Sequence, residues 1–187
     1  MEKGKLIIIS GPSGVGKETI RKEMKFNDYI YSISSTTREP RNGEIDGQHY
    51  NFLTIKEFED KIKNNEMLEY AKFVNNYYGT EQKVVDNYLN KGKNVLLEIE
   101  CQGALQVINK MPEAISIFIL PPSIDELKNR LIKRNTESIE IINQRIEKAQ
   151  EEMNLKDLYK YNVINDDVQK AALDIDRILF KECNDTN

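Results

Sequence analysis

Gly11-Pro12-Ser13-Gly14-Val15-Gly16-Lys17 is the stretch that most constrains what this chain can fold into. An apolar run, Leu6-Ile7-Ile8-Ile9, leads into it, and Thr19-Ile20-Arg21-Lys22-Glu23-Met24-Lys25, which suits a helix, follows. Strand, glycine-rich turn and helix in that order make a G-x-x-x-x-G-K match a phosphate cradle rather than a plain turn. Glycines let the backbone close around an anion with no Cβ in the way. The N–H groups so released, and the start of the helix, point at the anion, and Lys17 adds a mobile positive charge. Gly11, Pro12, Ser13, Gly14, Val15, Gly16, Lys17 and the two residues after them, Glu18 and Thr19, are therefore candidates for holding the phosphates of a nucleotide.

One position departs from the pattern. The motif has Ser or Thr directly after Lys, where the hydroxyl reaches a magnesium ion. Here that place holds Glu18, and Thr19 comes one later. Backbone amides and Lys17 still make the cradle, so the departure bears on the metal contact alone. A carboxylate in a first helical turn suits the helix dipole and is free to face solvent.

The rest of the chain supplies the frame. Its 187 residues favour one domain of moderate size, able to bury roughly 70 % of its unfolded surface. Hydrophobic residues are 39 %, charged residues 31 % and the net charge is −4, a soluble globular profile. The acidic balance argues against general nucleic-acid binding, so an anionic ligand has to be caught by local Arg and Lys clusters. Two distant cysteines, Cys101 and Cys183, read as reduced thiols of a cytoplasmic protein, and a single histidine, His49, leaves no metal cluster. No signal peptide and no run of membrane-spanning length is expected.

Periodicity predicts strands at Lys5–Ser10, Glu66–Phe73, Val95–Ile99, Ala114–Leu120 and Val163–Ile164. Helices are expected over 18–25, 55–65, 81–90, 102–110, 124–134 and 138–156, with one more at the C-terminal end. Thr54 with Glu57, and Ser123 with Glu126, read as capping boxes. Apolar strands alternating with helices imply a parallel sheet covered on both faces, with ligands at the carboxyl ends of its strands. The segment 34–80 breaks the alternation and reads as an inserted lobe of mixed α+β character.

That lobe carries a second set of anion-binding residues. Arg38 and Arg41 flank Pro40, which holds the backbone extended, and two guanidinium forks at this spacing can converge on one phosphate. Tyr50 and Tyr78 can add phenolic donors. Glu69 with Ser34 or Thr80 has the chemistry to recognise guanine: a carboxylate accepts from the base's N–H and amino group, and a hydroxyl serves its oxygen. Adenine presents a different order, and an unmatched buried carboxylate costs a few kcal/mol.

These pieces together resemble the guanylate kinase family. The resemblance rests on Gly11 to Lys17, on Ser34-Ser35-Thr36-Thr37-Arg38-Glu39-Pro40-Arg41-Asn42-Gly43-Glu44 with Tyr50, and on Asn76-Tyr77-Tyr78-Gly79-Thr80. Weaker support comes from Leu97-Glu98-Ile99-Glu100 and Asn165-Asp166-Asp167. It implies a P-loop NTPase-like α/β core over 1–33 and 81–187, a helical lid at about 124–150 and a GMP-binding lobe over 34–80, within a domain spanning 4–181. It implies transfer of a phosphoryl group from ATP, with Mg2+, to GMP or dGMP in purine nucleotide metabolism and GMP recycling. Ser34, Glu69 and Thr80 would hold guanine. Arg38, Arg41, Tyr50 and Tyr78 would hold the GMP phosphate with Glu44 nearby. Glu98 and Glu100 would stand at a strand end near GMP and the cation, where the family commonly has Asp. Lys17, Arg134 and Arg145 would act on the transferring group, with Arg130 on ATP. The family's lid has a glycine on each side of its arginine; here Lys133-Arg134-Asn135 replaces both, and a stiffer hinge is the expectation. No nucleic acid or membrane partner is implied, and monomer and homodimer both stay open. A kinase for another monophosphate, and a non-catalytic peptide-binding module built on the same scaffold, are the rival readings.

Overall fold

A computed structural model describes residues 2–73, 75–133 and 138–184. The elements in chain order are β1 (Leu6–Ser10), α1 (Lys17–Glu23), β2 (Ile30–Tyr31), β3 (Ser35–Thr36), β4 (Asn51–Phe52), α2 (Ile55–Lys63), β5 (Met67–Phe73), β6 (Asn76–Glu81), α3 (Gln82–Asn90), β7 (Val95–Glu98), α4 (Cys101–Lys110), β8 (Ile115–Leu120), α5 (Ile124–Lys133), α6 (Ile139–Met153), β9 (Tyr161–Ile164) and α7 (Val168–Asn184). A short 3₁₀ turn, Lys156–Leu158, follows α6. The central sheet has the strand order β2-β7-β1-β8-β9. β2 with β7, β1 with β8 and β8 with β9 run parallel, as continuous apolar runs such as Ile7-Ile8-Ile9 and Ile117-Phe118-Ile119 require. A second, mixed sheet has the order β4-β3-β6-β5.

The chain forms two compact units. The first comprises Met1–Leu6, Tyr29–Leu97 and Gln102–Ala114; the second comprises Ile7–Asp28, Glu98–Cys101 and Ile115–Asn187. In the first, Phe58, Leu68, Val85, Leu89, Leu96 and Val107 are buried, and the Phe58 ring stacks on Tyr77 at 5.2 Å. Thr54 caps α2 with the full box: its hydroxyl accepts from the Glu57 N–H while the Glu57 carboxylate accepts from the Thr54 N–H. Strand β5 pairs antiparallel with β6 through a register shift between Met67 and Glu69. That bulge leaves Met67, Leu68 and Glu69 all buried in succession, where a regular strand would turn every second side chain outward.

In the second unit, β1 and β8 bury Ile7, Ile8, Ile9, Ile115, Ile117, Phe118 and Ile119, each side chain contributing about 1.5–3 kcal/mol. Helices α5 and α6 pack through Leu127, Leu131, Ile142, Ile146 and Ala149. The expected face of Ile142, Ile146 and Ala149 is thus the buried one. Ser123 caps α5 by accepting from the Glu126 N–H, but the Glu126 carboxylate goes to Arg130 instead of back to the cap. Only half of that expected box forms.

Helix α1 stops at Glu23 rather than continuing to Lys25. At Met24 the backbone turns extended, and the buried Asp176 carboxylate on α7 accepts from the N–H groups of both Lys25 and Phe26. This one side chain stitches the short connection after α1 to the C-terminal helix. Asp176→Ala leaves those N–H groups without their acceptor and should lower unfolding free energy by about 1–3 kcal/mol. Asp176→Asn keeps one acceptor and should lose less. Urea unfolding checks this: the midpoint falls at unchanged m-value, in the order Ala below Asn below parent.

Candidate active site

The glycine-rich turn lies between β1 and α1, in the second unit. Gly16 begins α1 in the left-handed region (φ 97°), and a Cβ there would stand 2.8 Å from the Asn165 carboxamide nitrogen. Gly11 runs so close to β8 that a Cβ would meet the Ile119 carbonyl oxygen at 2.4 Å. Both are positions where only glycine fits. Asn165, just past β9, donates from Nδ2 to the Val15 carbonyl at 2.7 Å and so clamps the turn from below. The Lys17 ammonium curls back into the turn, donating to the Gly11 carbonyl at 2.7 Å. Lys17 keeps some exposed surface, yet burial pulls its ammonium below the ordinary lysine range, opposed mainly by the charges of Glu100, Cys101 and Glu98.

Arginines close in on the same turn. Arg145 on α6 donates to the Ser13 hydroxyl at 3.2 Å. Arg130 on α5 donates to the Glu126 carboxylate at 3.0 Å and to the carbonyl of Asn165, the residue that clamps Val15, at 3.0 Å. Arg134 lies outside the described residues. Glu18 and Thr19 face outward on α1; Glu18 pairs with Lys22 at 2.6 Å on the exposed surface. The carboxylates at the end of β7 and just beyond it are already matched with cations: Glu98 with Arg21 at 2.8 Å, Glu100 with Lys148 at 3.1 Å. Arg21 and Lys148 were not expected as site residues. Arg21 falls one helical turn after Lys17 and Lys148 one after Arg145, a spacing that could have signalled them.

The first unit carries the other cluster. Arg38 grips Glu44 with both ends of its fork, each at 2.9 Å, and the Arg41 N–H adds a third bond to the same carboxylate at 2.7 Å. Arg38 also lies 5.4 Å above the Tyr50 ring, and Tyr50 packs edge-on against Tyr78. The Arg38 hydrogen bonds hold the Glu44 carboxyl down at about 2. Arg41 itself is exposed. Glu44, expected only to stand nearby, is thus the anion that occupies the Arg38 fork.

A few residues along the same sheet, Glu69 on β5 faces Thr80 on β6, and the Thr80 hydroxyl donates to Oε1 at 2.7 Å. The other oxygen, Oε2, sits where a side chain on Gly103 of α4 would be, 2.2 Å from an ideal Cβ. Burial pushes the Glu69 carboxyl up to about 7, against the opposing pull of the Thr80 hydroxyl and the Lys110 charge. Ser34 enters through its carbonyl, which accepts from the Asn51 N–H, and its hydroxyl is not part of the Glu69–Thr80 pair. Gly103 was not foreseen, because its relation to Glu69 spans thirty-odd residues of intervening chain.

Comparison with known proteins gives a consistent result. Residues 3–182 match the family model described as guanylate kinase. The chain is 54 % identical to a guanylate kinase of Clostridium tetani over 97 % of its own length and 88 % of the relative's. It is 50 % identical to one of Lactococcus lactis, over 97 % and 89 %. Among solved structures, guanylate kinase from Anaplasma phagocytophilum superposes with a TM-score of 0.77 at 31 % identity, covering all of this chain and 89 % of that one.

The raised Glu69 carboxyl has a measurable sign. In the unfolded chain it ionises near 4.5 and in the fold near 7. Between these values the folded protein holds the extra proton, so the stability tied to this group is present below 4.5 and lost as pH rises through about 7. Glu69→Gln removes the titration. Urea unfolding from pH 5 to 8 should show the parent losing stability relative to the variant; parallel curves would contradict the buried ionisation.

Proposed function

The chain belongs to the guanylate kinase family, and we propose how its residues divide the work of that reaction. The enzyme is an ATP:GMP phosphotransferase. A phosphate oxygen of GMP attacks the γ-phosphorus of ATP, the bond to the β,γ-bridging oxygen breaks, and GDP and ADP leave. The observation that supports this division is that each unit holds a cluster of its own with the chemistry to take an anion: a glycine cradle with Lys17 in one, and an Arg–Tyr cluster beside the Glu69–Thr80 pair in the other.

The cradle amides hold the ATP phosphates, and Lys17 leaves the Gly11 carbonyl for the outer phosphates. Arg145, Arg130 and Arg134 neutralise charge on the nucleotide and on the transferring group. Arg38, Arg41, Tyr50 and Tyr78 take the GMP phosphate, which replaces Glu44 in the Arg38 fork. Glu69, ionised, accepts from the N–H and amino group of guanine, and the Thr80 and Ser34 hydroxyls serve the base's carbonyl oxygen. Because dGMP carries the same base, it is read in the same way. Catalysis is positioning: holding both nucleotides in line supplies up to about 7–11 kcal/mol of the barrier.

Mg2+ is the metal this chemistry calls for, and the donor set fits a cation that arrives with ATP. No group of three or more His, Cys, Asp or Glu able to hold a metal occurs among the described residues. Glu98 and Glu100, whose charges act on Lys17, are the oxygen donors that would hold the metal, and a few carboxylates plus phosphates are what magnesium uses. When bound, it neutralises charge between the transferred and leaving phosphates. Glu18, paired with Lys22 at the surface, is outside that set. No helix among the described residues is long and apolar enough to cross a membrane. A cytoplasmic place in purine nucleotide metabolism, recycling GMP, fits two cysteines present as thiols.

Lys17→Ala should lower kcat by roughly a hundredfold or more with the fold intact, read as ADP formation with GMP in a coupled assay. Turnover at the parent's rate in that variant would remove Lys17 from the mechanism. Across GMP, AMP, CMP and UMP, the parent should favour GMP, and Glu69→Gln should cut kcat/KM for GMP by about a hundredfold while leaving KM for ATP unchanged. The parent's KM for GMP should also rise about tenfold per pH unit below 7, a slope the Gln variant lacks; the phosphate's own ionisation is common to both proteins and cancels in the comparison.

A further inference from the structure

We propose that Gly103, seated on α4 with Gln106 and Lys110, is a specificity-determining position of this kinase: its missing side chain is the space in which the Glu69 carboxylate stands. Three observations, all within the first unit, converge. An ideal Cβ on Gly103 lies 2.2 Å from Glu69 Oε2 and 3.0 Å from its carboxyl carbon. Ordinary contact begins at 3.4 Å, so an alanine would force the oxygen back by about 3.4 − 2.2 = 1.2 Å. The opposite oxygen has no room to yield freely, because Thr80 holds Oε1 at 2.7 Å.

The helix and strand are also fastened to each other, so neither can slide to absorb the collision. Gln106 clips the Tyr70 backbone at both ends, accepting from its N–H at 3.2 Å and donating to its carbonyl at 2.7 Å. The Lys110 ammonium donates to the Leu68 carbonyl at 2.6 Å and to the Met67 carbonyl at 3.1 Å. Gly103, Gln106 and Lys110 recur at i, i+3 and i+7 and so share one face of α4. The two fasteners grip β5 on either side of Glu69, at Leu68 and at Tyr70. Strand β5 is the edge of its sheet. Its outer backbone groups at these positions are served by helix side chains rather than by another strand. The bulge that turns Glu69 inward is thereby locked at the point where the carboxylate meets Gly103.

This inference rests on Glu69 being the reader of guanine, and a double-mutant cycle separates the two claims. Four proteins are compared: parent, Gly103→Ala, Glu69→Ala and the double variant. Each is assayed for kcat and KM with GMP, with IMP (which lacks the 2-amino group) and with AMP, and for KM of ATP. Gly103→Ala should raise KM for GMP at least tenfold and narrow the preference for GMP over IMP, with KM for ATP within about twofold of the parent, since an ångström of misplacement can cost about a hundredfold. In the Glu69→Ala background the same glycine change should cost nothing further. If Glu69→Ala keeps the parent's preference, the base-reading role itself fails. If Glu69→Ala loses the preference but Gly103→Ala keeps it, the role of Gly103 fails alone. Should Gly103→Ala not fold, the double variant decides: folding there supports a collision with the carboxylate, and failure to fold assigns the glycine to helix packing and overturns the proposal.

Discussion

Most cations of the candidate sites among the described residues are already held by an oxygen of the chain, and this is the constraint from which the rest of the arrangement follows. Lys17 rests on the Gly11 carbonyl, Arg38 on Glu44, Arg21 on Glu98, Lys148 on Glu100, and Arg130 on Glu126 and the Asn165 carbonyl. A chain of net charge −4 that handles anionic nucleotides cannot rely on a general positive field. It needs individual cations fixed in direction. A guanidinium on a bare loop would spend most of its time in solvent, because ordering a long side chain is costly in entropy. Pairing it with a resident carboxylate keeps its fork oriented before any ligand arrives.

The backbone does the equivalent for the glycine cradle. Asn165 grips Val15, Gly16 leaves room for the Asn165 carboxamide, and Arg130 grips Asn165 in turn. The turn is thus tied through Asn165, just past β9, to α5, the first helix of the expected lid. The second unit's rigidity at this point comes from hydrogen bonds between elements far apart in sequence, on a base of fully buried isoleucines in β1 and β8.

How much of this the sequence shows depends on the range of the interaction. The strand–turn–helix around Lys17, the Thr54–Glu57 box and the buried parallel strands are readable because glycine geometry, capping and periodicity act within a few residues. Local signals also mislead at their ends. Ser123 and Glu126 have the spacing of a box, but Arg130 on the next turn attracts the Glu126 carboxylate more strongly. Helix α1 would run to Lys25 on pattern alone, and Asp176, some 150 residues away, ends it. The Glu69–Thr80 pair is assigned to guanine by resemblance, since spacing alone does not bring Glu69 to Thr80. The bulge at Leu68 and the space above Gly103 are invisible in a single sequence: both depend on which strand and helix become neighbours. Arg134 and the replaced lid glycines lie in or beside the segment outside the described residues.

The Glu44 carboxylate in the Arg38 fork has a kinetic meaning. On the proposed assignment, a phosphate arriving there would exchange one anion for another, so its net affinity would be the difference between two ion pairs rather than the whole strength of one. A tethered competitor six residues from its partner is present at high effective concentration. It can re-enter the fork the moment a departing phosphate loosens, before solvent has to rehydrate the guanidinium. Under that assignment, the same side chain that weakens capture would hasten escape, favouring rapid turnover over tight retention of product.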